Sequence, residues 1–372
     1  MTMKVISRVF IIIILALVVS GIVMILGATS GISKNYSMIF NHLVKVGFGI
    51  VTLAFTILFP YNKYRKFSKI LLGVGLLFLI YTLIAGINIK GASRWINIGG
   101  FSFQPSEFVK IFIVIHLANL IDKKGEMIKD FKRGYLPVLF WICLTVFFII
   151  LQPNLSTSIL IIAVGFSLLF VSGASLKHLG ITIAIVSVIG ASVLMSYSHG
   201  RARIYQFLGM TENTEINIQT YQANIALGSG GLNGRGLANN RQSDMFLPEA
   251  YGDFIYAIIG EQFGFLGTIF VLLVYLTLMT LGVIISYKCK DRFGQLLGFG
   301  LTLVISLNAF VNMAVVSGAA PVTGITLPFI SFGGTSIMAF SGAVGIIVNI
   351  ALTYAREKES LMAAEVTNEV TN

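Results

Sequence analysis

Charge is what this sequence has least of. Of its 372 residues, 11% are Asp, Glu, Lys or Arg, against roughly 25% in an average soluble domain. A soluble globule so poor in charge could not cover its surface with polar groups, which excludes a soluble enzyme or binding module. Cysteine is nearly absent. Cys143 falls in an apolar run and Cys289 in a short basic loop, so neither a disulfide framework nor a cysteine-based zinc site is indicated. The four histidines (His42, His116, His178, His199) are scattered, without metal-ligand spacing. No repeat of fixed period is visible, and the composition excludes disordered and collagen-like chains.

Apolar residues are what the chain has in excess, at 56%. About 20 of them in a row cross a bilayer. Runs of this kind occur near 8–28, 38–59, 69–87, 105–121, 136–152, 155–172, 179–197, 264–287, 295–316 and 334–354. The pattern predicts an all-α polytopic membrane protein of about ten transmembrane helices, formed by one domain over 1–357, with a short polar tail over 358–372. The first run is longer than a signal-peptide core. The net charge is +11. In a soluble protein that excess would hint at nucleic acid; here its placement across the membrane is the informative quantity. Seventeen Lys and Arg fall in alternate segments counted from the N-terminus, and only Lys34, Lys90 and Arg94 in the opposite short loops. Both termini are therefore expected in the cytoplasm. Loops 88–104, 198–253 and 317–333 are expected outside.

Few groups inside such a protein can do chemistry. Glu107 and Lys110 lie three residues apart in the fourth run, on one helical face. They form either an internal ion pair or the wall of a polar cavity. Lys45, near His42, either snorkels to the interface or points into a cavity. Of the 15 acidic residues, the topology leaves seven outside or in a span, and Asp244, Glu249, Asp253 and Glu261 crowd together. Asp253 precedes a helix-like run, where it either caps a helix or stands at the membrane boundary as a base. The long outer loop carries Arg201 and Arg203, then the run Gly228-Ser-Gly-Gly-Leu-Asn-Gly-Arg-Gly236, whose backbone amides can cradle phosphate. The last outer loop is rich in Gly, Pro, Ser and Thr and nearly uncharged. Irregular backbone at membrane depth is tolerated when buried or lining a cavity, so a re-entrant segment is expected.

Several of these stretches resemble one family. Gly91-Ala-Ser-Arg-Trp-Ile-Asn-Ile-Gly99 with Phe103-Gln-Pro-Ser-Glu-Phe-Val-Lys110, the segment Phe246 to Glu261, the segment Pro321 to Thr335 and, more loosely, Gln152-Pro-Asn-Leu-Ser-Thr-Ser158 are similar to the motifs of the SEDS family (shape, elongation, division, sporulation). Thr323-Gly-Ile-Thr326 and Asn240-Arg-Gln242 lean toward its FtsW/SpoVE branch. The resemblance implies a peptidoglycan glycosyltransferase of the bacterial cytoplasmic membrane, used in division, elongation or spore cortex synthesis. It implies lipid II, an undecaprenyl-diphosphate-linked disaccharide peptide, as substrate. It also implies a single-span class B penicillin-binding protein and other division or elongation proteins as partners, and no nucleic acid. The family's essential aspartate falls on Asp253, its loop Arg and Trp on Arg94 and Trp95, and its fourth-span pair on Glu107 and Lys110. The chain departs from the pattern at Asn154, Gly252 and Phe332.

A diphosphate is a good leaving group, so the two-carboxylate scheme of glycosidases relaxes to one base. Asp253 is the expected base on the acceptor hydroxyl, giving transfer with inversion. Arg94, Arg201 and Arg203 are the candidate clamp for the diphosphate, and Glu249 and Lys45 are further binding candidates. Trp95 either stacks on sugar or anchors at the headgroups. A divalent cation, Mg or Mn, could assist, although no ligand cluster marks its place. The rival expectations are a lipid II flippase using the intramembrane charges, and a non-catalytic scaffold.

Overall fold

The computed structural model describes residues 2–29, 36–89, 92–98, 101–208, 210, 215–237, 239, 247 and 250–371. Its helices are α1 (Met3–Thr29), α2 (Tyr36–Leu58), α3 (Tyr64–Ala85), α4 (Pro105–Lys124), α5 (Leu136–Ile150), α6 (Leu155–Val171) and α7 (Leu176–Ser196). They continue with α8 (Ser198–Phe207), α9 (Glu215–Ser229), α10 (Ile255–Lys288), α11 (Arg292–Val316) and α12 (Gly334–Thr371). All ten apolar runs fall on helices. Eight helices of the described residues are long and apolar enough to cross a membrane, and α6 is a shorter apolar helix. α4 is too polar to be recognised by composition, yet it packs among α3, α6, α11 and α12.

Burial explains that exception. α4 is covered on all sides, from Pro105 through Ile121, so its polar groups meet protein instead of lipid. The most apolar stretch of α12 is 89% buried and that of α7 only 11%. The core therefore sits on α4, α11 and α12, and α7 presents Ile181, Ile185, Val188 and Ile189 outward, as a lipid-facing helix should.

Ion pairs collect at one end of the bundle. Arg65 bridges Asp122 at 3.1 Å and also Asp291, and Asp291 caps α11 through the Gly294 amide. Lys4 pairs with Glu359 at 2.6 Å. These contacts gather the segments that the charge alternation assigns to one face. The tail expected over 358–372 is instead the continuation of α12 to Thr371. Leu361-Met-Ala-Ala-Glu365 are strong helix formers, and extending a helix costs far less than nucleating one.

The opposite end holds three departures from the expected loops. In the first outer loop, β1 (Ile87–Ile89), β2 (Ala92–Ile98) and β3 (Phe101–Phe103) pair as a small antiparallel sheet in the order β1-β2-β3, with Ile87 opposite Trp95 and Ile96 opposite Phe103. The long outer loop contains α8 and α9. The span expected to begin at 264 starts earlier, at Ile255, and is broken at Gly264, whose φ of 67° and ψ of −163° are non-helical.

The glycine-rich run closes that break. The amides of Arg235 and Gly236 donate to the carbonyls of Glu261 and Gln262, and the amides of Phe265 and Leu266 donate to Gly231 and Leu232. Every orphaned group at a helix break must find a partner, and here another backbone supplies it. The contact requires glycine: a Cβ on Gly230 would lie 1.9 Å from the Gly260 oxygen, and one on Gly264 would lie 2.4 Å from the Gly234 nitrogen. The phosphate cradle expected of this run is thereby corrected. Two of its amides bond the first half of α10, and Gly231 and Gly234 bond Gly228 and Gly230 within the run.

Candidate functional site

The last outer loop, 317–333, dips into the bundle as an irregular buried strap. Ile325, Leu327, Phe329 and Ile330 are buried. Tyr275, fully buried in α10, donates its hydroxyl to the Pro328 carbonyl. Ser331 Oγ accepts from the Leu327 amide at 2.8 Å, and the Phe332 amide donates to the Tyr251 carbonyl at 2.8 Å. The re-entrant segment expected from the sequence is present, and these bonds satisfy its backbone away from water.

Asp253 sits beside this strap, half-buried in the turn just before α10. The N-cap position of α10 falls one residue later, on Phe254, which caps nothing with its side chain. The carboxylate lies against Gly324: a Cβ there would stand 3.2 Å from Asp253 Oδ2, at a φ of +69°. Asn312 of α11 donates to the Asp253 carbonyl at 2.7 Å and to the Ile325 carbonyl at 2.7 Å.

Two arginines share this electrostatic neighbourhood. Burial pushes the Arg94 guanidinium down to about 10; Arg203 presses the same way and Asp253 opposes. Burial also lowers Arg203, again opposed by Asp253. Arg94, on β2, spends Nε and Nη2 on the carbonyls of Gln152 and Pro153, so it ties the meander to the α5–α6 turn as well as adding charge. Arg203 keeps a buried Nε with no protein partner among the described residues. Arg201 is exposed. The two residues are adjacent alternates on a helix, α8, so they project about 200° apart, and the expected double clamp resolves to Arg203 on the site side.

The remaining candidates scatter around this centre. Lys45 lies with Nζ 4.0 Å over the Phe332 ring, at the foot of the strap, and its stem packs on Gly334. Trp95 is half-buried on β2. Glu249 lies outside the described residues. Glu107 and Lys110 are partners, Oε1 to Nζ at 2.9 Å, and Lys110 also donates to Asn308 Oδ1 at 3.2 Å. Asn154 caps α6 by accepting from the Thr157 amide. Ser156 bonds the Thr323 carbonyl at 2.8 Å. The reasoning from sequence missed Asn312 and Asn308, because it searched spans for charge alone. A neutral amide inside an apolar run was the available signal.

An all-α bundle carrying one acid and two half-buried arginines beside a re-entrant strap defines a multi-pass membrane protein with a polar site at one end of its helices. The chain belongs to the FtsW/RodA/SpoVE family of cell cycle proteins, whose family model matches residues 6–356. Among its relatives, the probable peptidoglycan glycosyltransferase FtsW of Geobacter sulfurreducens is 34% identical over 345 residues, 90% of this chain and 92% of that protein. The stage V sporulation protein E of Bacillus subtilis is 33% identical, over 91% and 95%. The fold matches the rod shape determining protein RodA of Thermus thermophilus with a TM-score of 0.70 at 21% identity, over 92% of this chain and 95% of that one. It matches a chain of a peptidoglycan synthase complex that coordinates polymerization and crosslinking with a TM-score of 0.79 at 20% identity, over 93% and 97%.

Proposed function

We propose that this protein is a peptidoglycan glycosyltransferase that polymerises lipid II at the outer face of the bacterial cytoplasmic membrane, with Asp253 as general base. The observation that carries the mechanism is the grouping of Asp253 with Arg203 and Arg94 beside the buried strap. The names of its FtsW relatives support the activity. Asp253 takes the proton from the acceptor hydroxyl as that oxygen attacks the anomeric carbon of the donor. The bond to the diphosphate breaks on the opposite face, which inverts the configuration. Negative charge grows on the departing diphosphate, and a fixed guanidinium in a poorly hydrated site stabilises it more than water would. Arg203 is suited to this role by its unspent Nε. The charge of the departing diphosphate is assigned to Arg203 and Arg94, and a divalent cation, Mg or Mn, would add to their positive charge when bound.

The polyprenyl tail would lie among the lipid-facing helices. A class B penicillin-binding protein is the partner supported by the structural likeness to a synthase complex. The Glu107–Lys110 pair is closed by Asn308 and by the Phe340 ring, 5.2 Å from Nζ, an arrangement suited to a structural lock between helices more than to a path for a flipped headgroup.

Purified full-length protein given lipid II in detergent tests the proposal, because flipping has no meaning without a bilayer. Glycan strands should form. Asp253→Asn preserves size but cannot accept the proton, and should slow polymerisation by at least ~10²-fold. Asp253→Glu should also be poor, since a displacement near 1 Å spoils the alignment. Near-normal synthesis by well-folded Asp253→Asn would remove the base assignment, and no glycan strands from the wild-type protein would favour a scaffold or transport role.

A further inference from the structure

Asn312 is a neutral amide near the C-terminal end of α11, one turn beyond Asn308 on the same helix face, and is 1% exposed. One nitrogen, Nδ2, reaches two carbonyls at 2.7 Å each, Asp253 O and Ile325 O. Both partners accept only, so the nitrogen must face them and use both its hydrogens. The oxygen, Oδ1, is left with no hydrogen-bond partner among the described residues. A residue needed only to fill space would be Leu or Met. Keeping a half-satisfied amide at this depth is costly, and what it provides is a link between the turn that carries the acid and the strap.

Gly324, adjacent to Ile325, forms the other side of the same clamp. It meets the Asp253 carboxylate at Oδ2, at a backbone conformation of φ +69° that L side chains rarely adopt. The strap in turn is tied to α6 through Ser156 and the Thr323 carbonyl. Asp253 therefore has its main chain held from α11 and its carboxylate flanked by a glycine, within three residues of strap.

We infer that Asn312 and Gly324 are the positioning residues of Asp253: the amide fixes the height of the 250–254 turn against the strap, and the absent side chain at 324 leaves the carboxylate its place facing the acceptor. This rests on the reading of Asp253 as the base. Neither residue needs to touch the sugar, so both should act on turnover more than on affinity.

The test is steady-state polymerisation of lipid II by the full-length protein in detergent, with folding followed by size-exclusion profile and melting temperature. Asn312→Ala should lower kcat at least ~10-fold with KM within twofold, a loss in keeping with a sub-ångström to 1 Å misplacement of a catalytic group. The combined Asn312→Ala, Asp253→Asn protein should be no slower than Asp253→Asn alone, because residues that act as a unit are not additive. Gly324→Ala, on an exposed position and removing no hydrogen bond, should also lower kcat with little change in KM. A kcat for Asn312→Ala within twofold of wild type, or a double variant well below Asp253→Asn, overturns the inference. If Asn312→Ala fails to fold, Gly324→Ala decides: unchanged kcat overturns the clamp. A silent Asn312→Ala beside a crippled Asp253→Asn removes only this inference, whereas a silent Asp253→Asn removes the base and the clamp together.

Discussion

Replacing Lys110 by Ala leaves Glu107 with no partner at either oxygen among the described residues. Its Oε1 loses the ammonium at 2.9 Å, and its Oε2 already has no partner among the described residues. The two side chains are only 3% and 11% exposed. At an effective dielectric of about 20 the Coulomb attraction at that distance is about 6 kcal/mol, most of which offsets the desolvation of two buried charges. Breaking such a pair from one side costs ~3–5 kcal/mol, because the penalty stays and the attraction goes. Glu107→Ala should be milder, since Lys110 keeps Asn308 and the Phe340 face. The double replacement removes both charges and leaves mainly a cavity, so it should cost less than either sum. A coupling of at least ~2 kcal/mol is expected. Thermal or denaturant unfolding of the four proteins in one detergent measures the cycle. Singles below ~0.5 kcal/mol that simply add would show that the pair holds nothing together, and that α4 tolerates its charges through water.

The topology is checked by reporters: a fusion after residue 125 should read cytoplasmic and one after residue 210 external, and an external reading at 125 would invert every assignment of sides. Arg203→Gln should raise KM for lipid II severalfold while Arg201→Gln changes it little, since Arg203 shares the electrostatic neighbourhood of Asp253 and Arg201 is exposed; equal effects in steady-state kinetics would count against Arg203 as the clamp. Gly264→Ala forces a Cβ into the Gly234 backbone and a side chain into the left-handed region, so a loss above ~2 kcal/mol is expected; an unchanged melting temperature would show that the helix break is not held by the glycine-rich run.

Much of the fold was legible because hydropathy is a local property. Each of the ten apolar runs became a helix, and the alternation of Lys and Arg matched the segments that Arg65, Asp122, Asp291, Lys4 and Glu359 tie together at one end. The strap over 317–333 was legible from its own composition, since irregular uncharged backbone beside a span has to be buried. The Glu107–Lys110 pair was legible from helical spacing. The glycine-rich run was misjudged, because glycine serves equally for binding an anion and for close approach of two backbones, and nothing within the run tells which backbone will come near.

The amino-acid sequence by itself determined the membrane class and the order of the spans, because burial in lipid and helix period each act over a few residues; the acid worth testing was marked by the family resemblance of its segment. The tertiary structure alone decided which groups meet that acid. Arg94 lies 159 residues before Asp253 and Asn312 lies 59 after it. Whether such groups converge depends on how α8, α10, α11 and the strap pack, and packing is a property of shapes and distances across the bundle that no local pattern encodes.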